Sequence, residues 1–359
     1  MNSGGSGPPP RYVVEAMRAA DDLLSGPAYL EGSAFYARCA EANANAREAA
    51  ARLLGAAPED LALTQNTSHG MSLGVAAMDW REGDEVISTT TEHPGCLVPL
   101  HALEKRYGVK IKLVSPSVSV EKIKAEISER TRLIALSHVD WTTGEILPLE
   151  EISALACERN VLTLADGAQS VGNMATDIPA TGVDMYAFTG HKWLLGPEGI
   201  GGFYVSPDCR VSSANLGFLS LADPYSFNVE GDYELKSGAG RFEASTMSPA
   251  LAGGFAAAAG ETHNRGEEGF AEIRRKADLL MELLSENPKT TLRTPRPAKN
   301  GLVSFEIEGV PAKEATEKLL EKRFVVRFLP EPTHYVRAST HLFNSDEEIE
   351  ALAKEVAAL

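Results

Sequence analysis

Short apolar blocks and longer amphipathic stretches alternate along the first two hundred residues. "LALT" (61–64) leads through "QNTS" into "HGMSLGVAAM", and "DEVIST" (84–89) leads through "TTEHPG" into a helical pattern over about 95–107. "VKIKLV" (109–114) precedes "VEKIKAEISER", and "RLIALSHV" (132–139) precedes, after a loop, "LEEISALACERN". "VLTLAD" (161–166), "VDMYAF" (183–188) and "IGGFYV" (200–205) follow. Apolar runs of this length, separated by amphipathic helices, predict an α/β fold with a mostly parallel, seven-stranded sheet covered on both faces. In such sheets the ligand lies beyond the carboxyl ends of the strands.

Beyond residue 205 the pattern changes. Residues 206–246 are loop-rich, which suggests an excursion over a site or a partner. A helical stretch covers about 248–286, followed by "GLVSFEIEG", a helix around 311–322, "FVVRF", "HYVRAS" and a last helix around 345–358. This second part predicts a small α+β domain. The expected division is a large domain over 11–255 and a small one over 256–359, joined by residues 1–10. The opening "MNSGGSGPPP" has the composition of a flexible tail, and there is no internal repeat.

Composition narrows the classes. Apolar residues make up 43% and charged residues 23% of the 359, as in an ordinary globular protein. The net charge is 34 − 50 = −16, which argues against a nucleic-acid partner. No window approaches the roughly 20 apolar residues of a membrane span, and no secretory pattern opens the chain, so no membrane partner and a cytoplasmic location are expected. Cys39, Cys96, Cys157 and Cys209 match no zinc spacing and no disulfide framework, and the eight histidines form no metal motif; no metal is expected.

Several polar residues sit where chemistry is done. A lysine is ordinarily a solvated charge, but Lys192 follows a strand and "TGH" and precedes "WLL", a setting that desolvates an amine, lowers its pKa and favours Schiff-base chemistry. Asp166 ends "VLTLA"; its ordinary role is a cap or turn, and its functional role is an anion facing a cationic ring nitrogen. A lysine Schiff base with an aspartate on a pyridinium nitrogen is the signature of pyridoxal 5′-phosphate (PLP). Thr67 and Ser68 open a helix, either as a capping segment or as a phosphate site. "GPEGIGG" (196–202) precedes a strand instead of opening a helix, so it is a β-hairpin turn and not a nucleotide loop. His93, after a strand, is either structural or a ring stacked on an aromatic cofactor. Arg337 is either an edge-strand arginine or a bidentate clamp for a carboxylate. Cys96, at a helix start, is either a small buried apolar residue or a thiol near the site.

Taken together, "ADGAQSVG" (165–172), "FTGHKW" (188–193) and "RFEAST" (241–246) resemble the class V aminotransferase family of fold type I PLP enzymes, over the whole chain from "NSGGSGPPP" to the final helix. The family includes cysteine desulfurases, cystine C–S lyases and isopenicillin N epimerases. The resemblance implies that Lys192 attaches the cofactor, Asp166 pairs with the pyridine nitrogen, Gln169 bonds the phenolic oxygen and His93 stacks on the ring. It implies that Thr67, Ser68, Thr189 and His191 hold the phosphate, and that Thr246 reaches the phosphate of a partner subunit in a homodimer with shared sites. Arg337 is implied to clamp the substrate carboxylate, with Trp141 and Thr142 in the substrate pocket and the glycine-rich opening near the site.

Two departures set the expected reaction. Desulfurases carry a nucleophilic cysteine before the strand with the carboxylate-binding arginine, whereas "RFLPEPTHYVRAST" has none and no cysteine follows Cys209. After "LSHV" this chain has Asp140 where desulfurases commonly have asparagine, and "SHVDWTTGEILPL" looks instead like cystine C–S lyases. The expectation is α,β-elimination on cysteine, cystine or another S-substituted cysteine, giving pyruvate, ammonia and a sulfur product. The alternatives are a class V aminotransferase or an epimerase, a desulfurase-like enzyme lacking that cysteine, or a PLP-fold module without turnover.

Overall fold

In the computed structural model, which describes residues 1–25, 27–115, 119–213, 215–225 and 227–359, the seven apolar blocks all become strands. They are β1 (Leu61–Thr64), β2 (Glu85–Thr89), β3 (Lys110–Val114), β4 (Thr131–Ser137), β5 (Leu162–Asp166), β6 (Met185–Thr189) and β7 (Gly201–Val205). They form one sheet in the order β1-β7-β6-β5-β4-β2-β3, and only β7 runs against the rest. β6 is buried throughout and β4 everywhere but at Arg132, as a sheet covered on both faces requires. The edge strand β3 is partly exposed and carries Lys110 and Lys112, charges that discourage pairing with another chain.

Helices cover both faces. On one side lie α3 (Thr67–Ala76) and α4 (Pro94–Tyr107), packed through Met71, Leu73, Leu100 and Leu103. On the other lie α2 (Ser33–Leu54), α6 (Leu149–Glu158) and the start of α7 (Pro249–Ser285), with α1 (Arg11–Ser25) outside them and α5 (Val120–Glu126) beside α6. Phe255 of α7 is fully buried and its ring stacks on Phe188 of β6 at 6.3 Å.

A second sheet, in the order β10-β11-β9-β8, is built from β8 (Thr290–Leu292), β9 (Leu302–Ile307), β10 (Arg327–Phe328) and β11 (Val336–Ser339). The end of α7 packs on it with α8 (Ala312–Glu321) and α9 (Asp346–Ala357) around a separate core. A small cluster of Val139, Trp193, Ile273 and Leu302 joins the two cores. The division expected between 255 and 256 falls inside α7, whose own break is at Gly266 (φ 50°, ψ −139°), a conformation that suits glycine.

Two alternatives left open by the sequence close, the opening lying near the site as the resemblance implied, and one expected strand is shorter. The first ten residues are not a free tail. Asn2 bridges to Ser339 beside β11, Gly7 N–H donates to the His191 carbonyl (2.8 Å), and Ser6 Oγ donates to Glu198 (3.0 Å). Composition suggested flexibility, but backbone-only residues are also what a crowded strap needs. A Cβ on Gly4 would lie 2.9 Å from Arg337 Nη2 and 3.0 Å from Gln169 Oε1. Arg337 is not on an edge, since β11 lies between β10 and β9. "FVVRF" yields only the two-residue β10, because Arg323 before it takes a positive φ of 68° and the chain is still turning. Among the described residues no helix is long and apolar enough to cross a membrane.

Removing the Phe255 ring is expected to open a cavity under the loop that carries Lys192. Phe255→Ala should lower the unfolding free energy by about 3–5 kcal/mol in a urea titration; a loss under about 1 kcal/mol would contradict this packing.

Candidate active site

The strand ends of the large sheet and the arginines of the small one enclose a cavity of about 270 Å³. From β5 come Asp166 and, in the turn after it, Gln169; Thr189 ends β6, and His191 and Lys192 come from the β6–β7 connection. That connection runs from 190 to 200, so the antiparallel turn expected at "GPEGIGG" is a long loop with the lysine inside it. The α3 N-terminus supplies Thr67 and Ser68, and the α4 N-cap supplies His93. Trp141 follows β4, and Gly4 and Gly5 of the strap close one side.

Burial tunes these groups. The Lys192 amine is lowered to about 8, first by burial and further by Arg337 and Arg327, with Asp166 opposing. Asp166 is 5% exposed; burial raises its carboxyl, while Lys192 and the Ala168 N–H (2.9 Å to Oδ1) favour the anion. His93 is pulled down to about 4 by burial and nearby cations, so its ring is neutral. Its Nδ1 accepts from the Gly95 N–H at 3.0 Å, which leaves the proton on Nε2 and fixes the ring edge-on to Trp141 at 5.2 Å. Thr189 Oγ1 and His191 Nδ1 lie 2.8 Å apart.

Several polar atoms lack a partner where a bound group belongs. Thr67 Oγ1 is buried without one, at a helix N-terminus where the Asn66 side chain caps the His69 N–H and the start of the first turn faces the cavity. Gln169 Oε1 accepts from Trp193 Nε1 (2.8 Å) and Nε2 donates to the Gly4 carbonyl (2.9 Å), so one amide hydrogen remains for an acceptor in the cavity. Arg337 is fully buried. Its Nη1 donates to the Trp141 carbonyl (2.7 Å), while Nε and Nη2, the side-on pair that fits a carboxylate, have no acceptor. A phosphorylated aromatic aldehyde with an acidic ring N–H, together with an amino-acid carboxylate, matches this set of orphan groups.

Two predicted residues lie outside the cavity. Thr142 is buried, and both its amide (2.7 Å) and its hydroxyl (2.5 Å) donate to Asp140 Oδ1; it shapes the Trp141 turn and does not line the pocket. Thr246 is exposed at the surface. Cys96 is fully buried, its thiol raised well above the ordinary range by burial and by Glu92 and Asp166, and no cysteine lines the cavity. Among the described residues no group of histidine, cysteine and carboxylate side chains is placed to hold a metal. Sequence reasoning missed Arg327, which faces Arg337 in register and lines the cavity mouth, and Ser137 at the end of β4. The ten-residue interval from Arg327 to Arg337 was visible, but the pairing that puts both on one side was not.

The class-V aminotransferase family model matches residues 1–352. The chain belongs to that family, and its architecture is that of fold type I PLP-dependent enzymes. A probable cysteine desulfurase of Halalkalibacterium halodurans is 31% identical over 336 residues, covering 86% of this chain and 80% of its own. Isopenicillin N epimerase of Streptomyces clavuligerus is 28% identical over 389 residues, covering 100% of this chain and 94% of its own. Among solved structures, the cystine C–S lyase C-DES with its reaction product cysteine persulfide aligns with a TM-score of 0.90 at 30% identity, covering 99% of this chain and 96% of its own. A variant of that lyase, with glycine covalently linked to its PLP cofactor, aligns with a TM-score of 0.91 at 29% identity, covering 99% and 95%.

The lowered amine gives a direct test. Because the Lys192 pKa is depressed to about 8, its neutral, nucleophilic form predominates above that pH, well below ordinary lysines. In cofactor-free protein, the rate of Lys192 modification by an aldehyde reagent, followed by peptide mapping, should reach half its maximum near pH 8. A midpoint near 10 would contradict the desolvated setting.

Proposed function

We propose that this chain is a PLP-dependent carbon–sulfur lyase that cleaves cystine, or a closely related S-substituted cysteine, by α,β-elimination. What carries the assignment is the cavity's own chemistry: two guanidinium groups, one amine and no thiol. Bound PLP supplies an electron sink that weakens the Cα–H bond. Lys192 would attach the cofactor, and its Nζ would take the Cα proton of the bound substrate. Asp166 holds the ring nitrogen protonated. Thr67, Ser68, Thr189 and His191 hold the phosphate, Gln169 the phenolic oxygen, and the neutral His93 ring the cofactor face.

Arg337 takes the α-carboxylate on Nε and Nη2. Arg327, exposed at the mouth, takes the distal carboxylate of cystine. Trp141 forms the wall between them, its indole N–H fixed on the Thr91 carbonyl at 2.6 Å. The β-carbon–sulfur bond breaks with its electron pair leaving on sulfur, and addition of water to the remaining fragment gives pyruvate and ammonia. A persulfide leaves more readily than a thiolate because its conjugate acid is stronger, so no protein thiol is required. The active form is a homodimer: Thr246 projects to the partner's phosphate, and Tyr225 and Val229, 90% and 91% exposed, lie in the same excursion.

Lys192→Ala should abolish pyruvate release from L-cystine; retained turnover would sink the assignment. Arg327→Ala should raise KM for L-cystine about tenfold, roughly the 1.4 kcal/mol of one charge-assisted hydrogen bond, and leave a cysteine thioether with one carboxylate nearly unaffected. Equal effects on both substrates would remove Arg327 from distal recognition. Light scattering should give twice the 38.4 kDa chain mass, and a monomer would overturn the role given to Thr246.

A further inference from the structure

Glu92 precedes the cofactor-stacking His93, yet it turns its carboxyl away from the cavity and into the protein, where it is 5% exposed. Its Oε1 accepts from the Ser137 N–H (2.9 Å) and from Thr89 Oγ1 (3.0 Å), while Oε2 lies 2.5 Å from Ser137 Oγ. Ser137 ends β4, pairs in register with Asp166 of β5 and lines the cavity. Two carboxyl groups are therefore buried under one site. Among the described residues no cation is within ion-pair distance of Glu92. The ionisable groups that face it are Asp166 from β5 and the Cys96 thiol from α4, and neither is cationic.

Two adjacent buried carboxyls do not both ionise cheaply. Asp166 has a cation to face in Lys192 and, on the cofactor reading above, in the ring N–H; Glu92 has none. The geometry at Glu92 also suits a neutral acid. With a proton on Oε2, the carboxyl O–H donates to Ser137 Oγ across the 2.5 Å contact, and Oε1 keeps both of its donors. The Ser137 hydroxyl hydrogen is then released from Glu92. We propose that Glu92 stays a neutral acid donating to Ser137 Oγ, and that Ser137 in turn presents its hydrogen to the cavity floor beside Asp166. Both are positioning residues: Glu92 also clamps the turn that carries His93 to the end of β4.

The sign of the pH dependence follows. Burial, reinforced by Asp166, raises the Glu92 carboxyl to about 8, with the Ser137 and Thr89 hydrogen bonds opposing. The arrangement is intact below that pH and lost as pH rises through it. The carboxylate then recaptures the Ser137 hydrogen and places a second anion beside Asp166. Glutamine reproduces the neutral acid, its amide N–H standing in for the carboxyl O–H, and cannot ionise.

The direct test is infrared spectroscopy of the protein with and without PLP. At pH 7 a protonated-carboxyl carbonyl stretch should be present, should fade as pH rises through about 8, and should be missing from Glu92→Gln. Its absence from the parent protein at pH 7 would overturn the proposal whatever the substrate proves to be. In the holoenzyme, Glu92→Gln should keep most of kcat and lose part of the alkaline decline in kcat/KM. Ser137→Ala should cut kcat about tenfold, the value of one hydrogen bond, with KM little changed. If Glu92→Gln costs as much as Ser137→Ala, the carboxyl works as an anion and the proposal fails. The infrared band and the glutamine variant preserve side-chain volume, so neither readout depends on a truncated side chain folding.

Discussion

Asp166 and Lys192 must be close enough to feel each other without pairing, and the rest of the molecule depends on that constraint. Each shifts the other's protonation, yet no ion pair joins them among the described residues. A direct salt bridge would neutralise both and leave nothing for a bound ring. Parallel pairing of β5 with β6 sets the carboxylate at a strand end, while the lysine sits beyond the next strand on a loop. Buried Phe188 and Phe255 hold that loop from below, and Trp193, within the loop, anchors it among Val139, Ile273 and Leu302. Burial supplies the energy that lowers the amine and raises the acid, and the unpaired geometry keeps both available.

The small sheet completes what the large one starts. Arg337 is desolvated enough to be lowered to about 9, and Arg327 beside it adds to that cost. A buried guanidinium with two orphan nitrogens is expensive to maintain unless an anion comes. The strap of residues 2–7 shares this work, because Gly4 packs near Arg337 and accepts from Gln169 Nε2, and so connects the proposed carboxylate clamp to the proposed cofactor partner.

Much of this was legible in the sequence. The period of the apolar blocks gave all seven strands of the main sheet, since a doubly covered sheet leaves little freedom for another pattern. Asp166, Lys192 and His93 were legible because each breaks an apolar or small-residue context at a strand end. Residues whose role depends on what lies across from them were not. Arg327 is one of many exposed arginines until β10 pairs with β11, and Glu92 is one of many glutamates until its carboxyl proves to be inside. The strap was misjudged on composition because Gly and Ser describe both a chain that nothing holds and a chain too tightly packed for side chains. Thr142 was placed in the pocket through its neighbour Trp141, but adjacent residues around a turn point in different directions.

The residues proposed to hold the cofactor lie at the strand ends of one sheet and the two arginines on the other, and α7, bent at Gly266, packs on both. On the proposed reading, the spacing between the two sheets sets how the α-amino and α-carboxylate groups meet Lys192 and Arg337, while Arg327 reads the distal end. On that reading the molecule would hold the substrate's α-carbon as a caliper does, one jaw carrying Lys192 and the other Arg337. A substitution far from both jaws, anywhere along the helix that sets their spacing, would change which substrates fit without touching a residue that binds them.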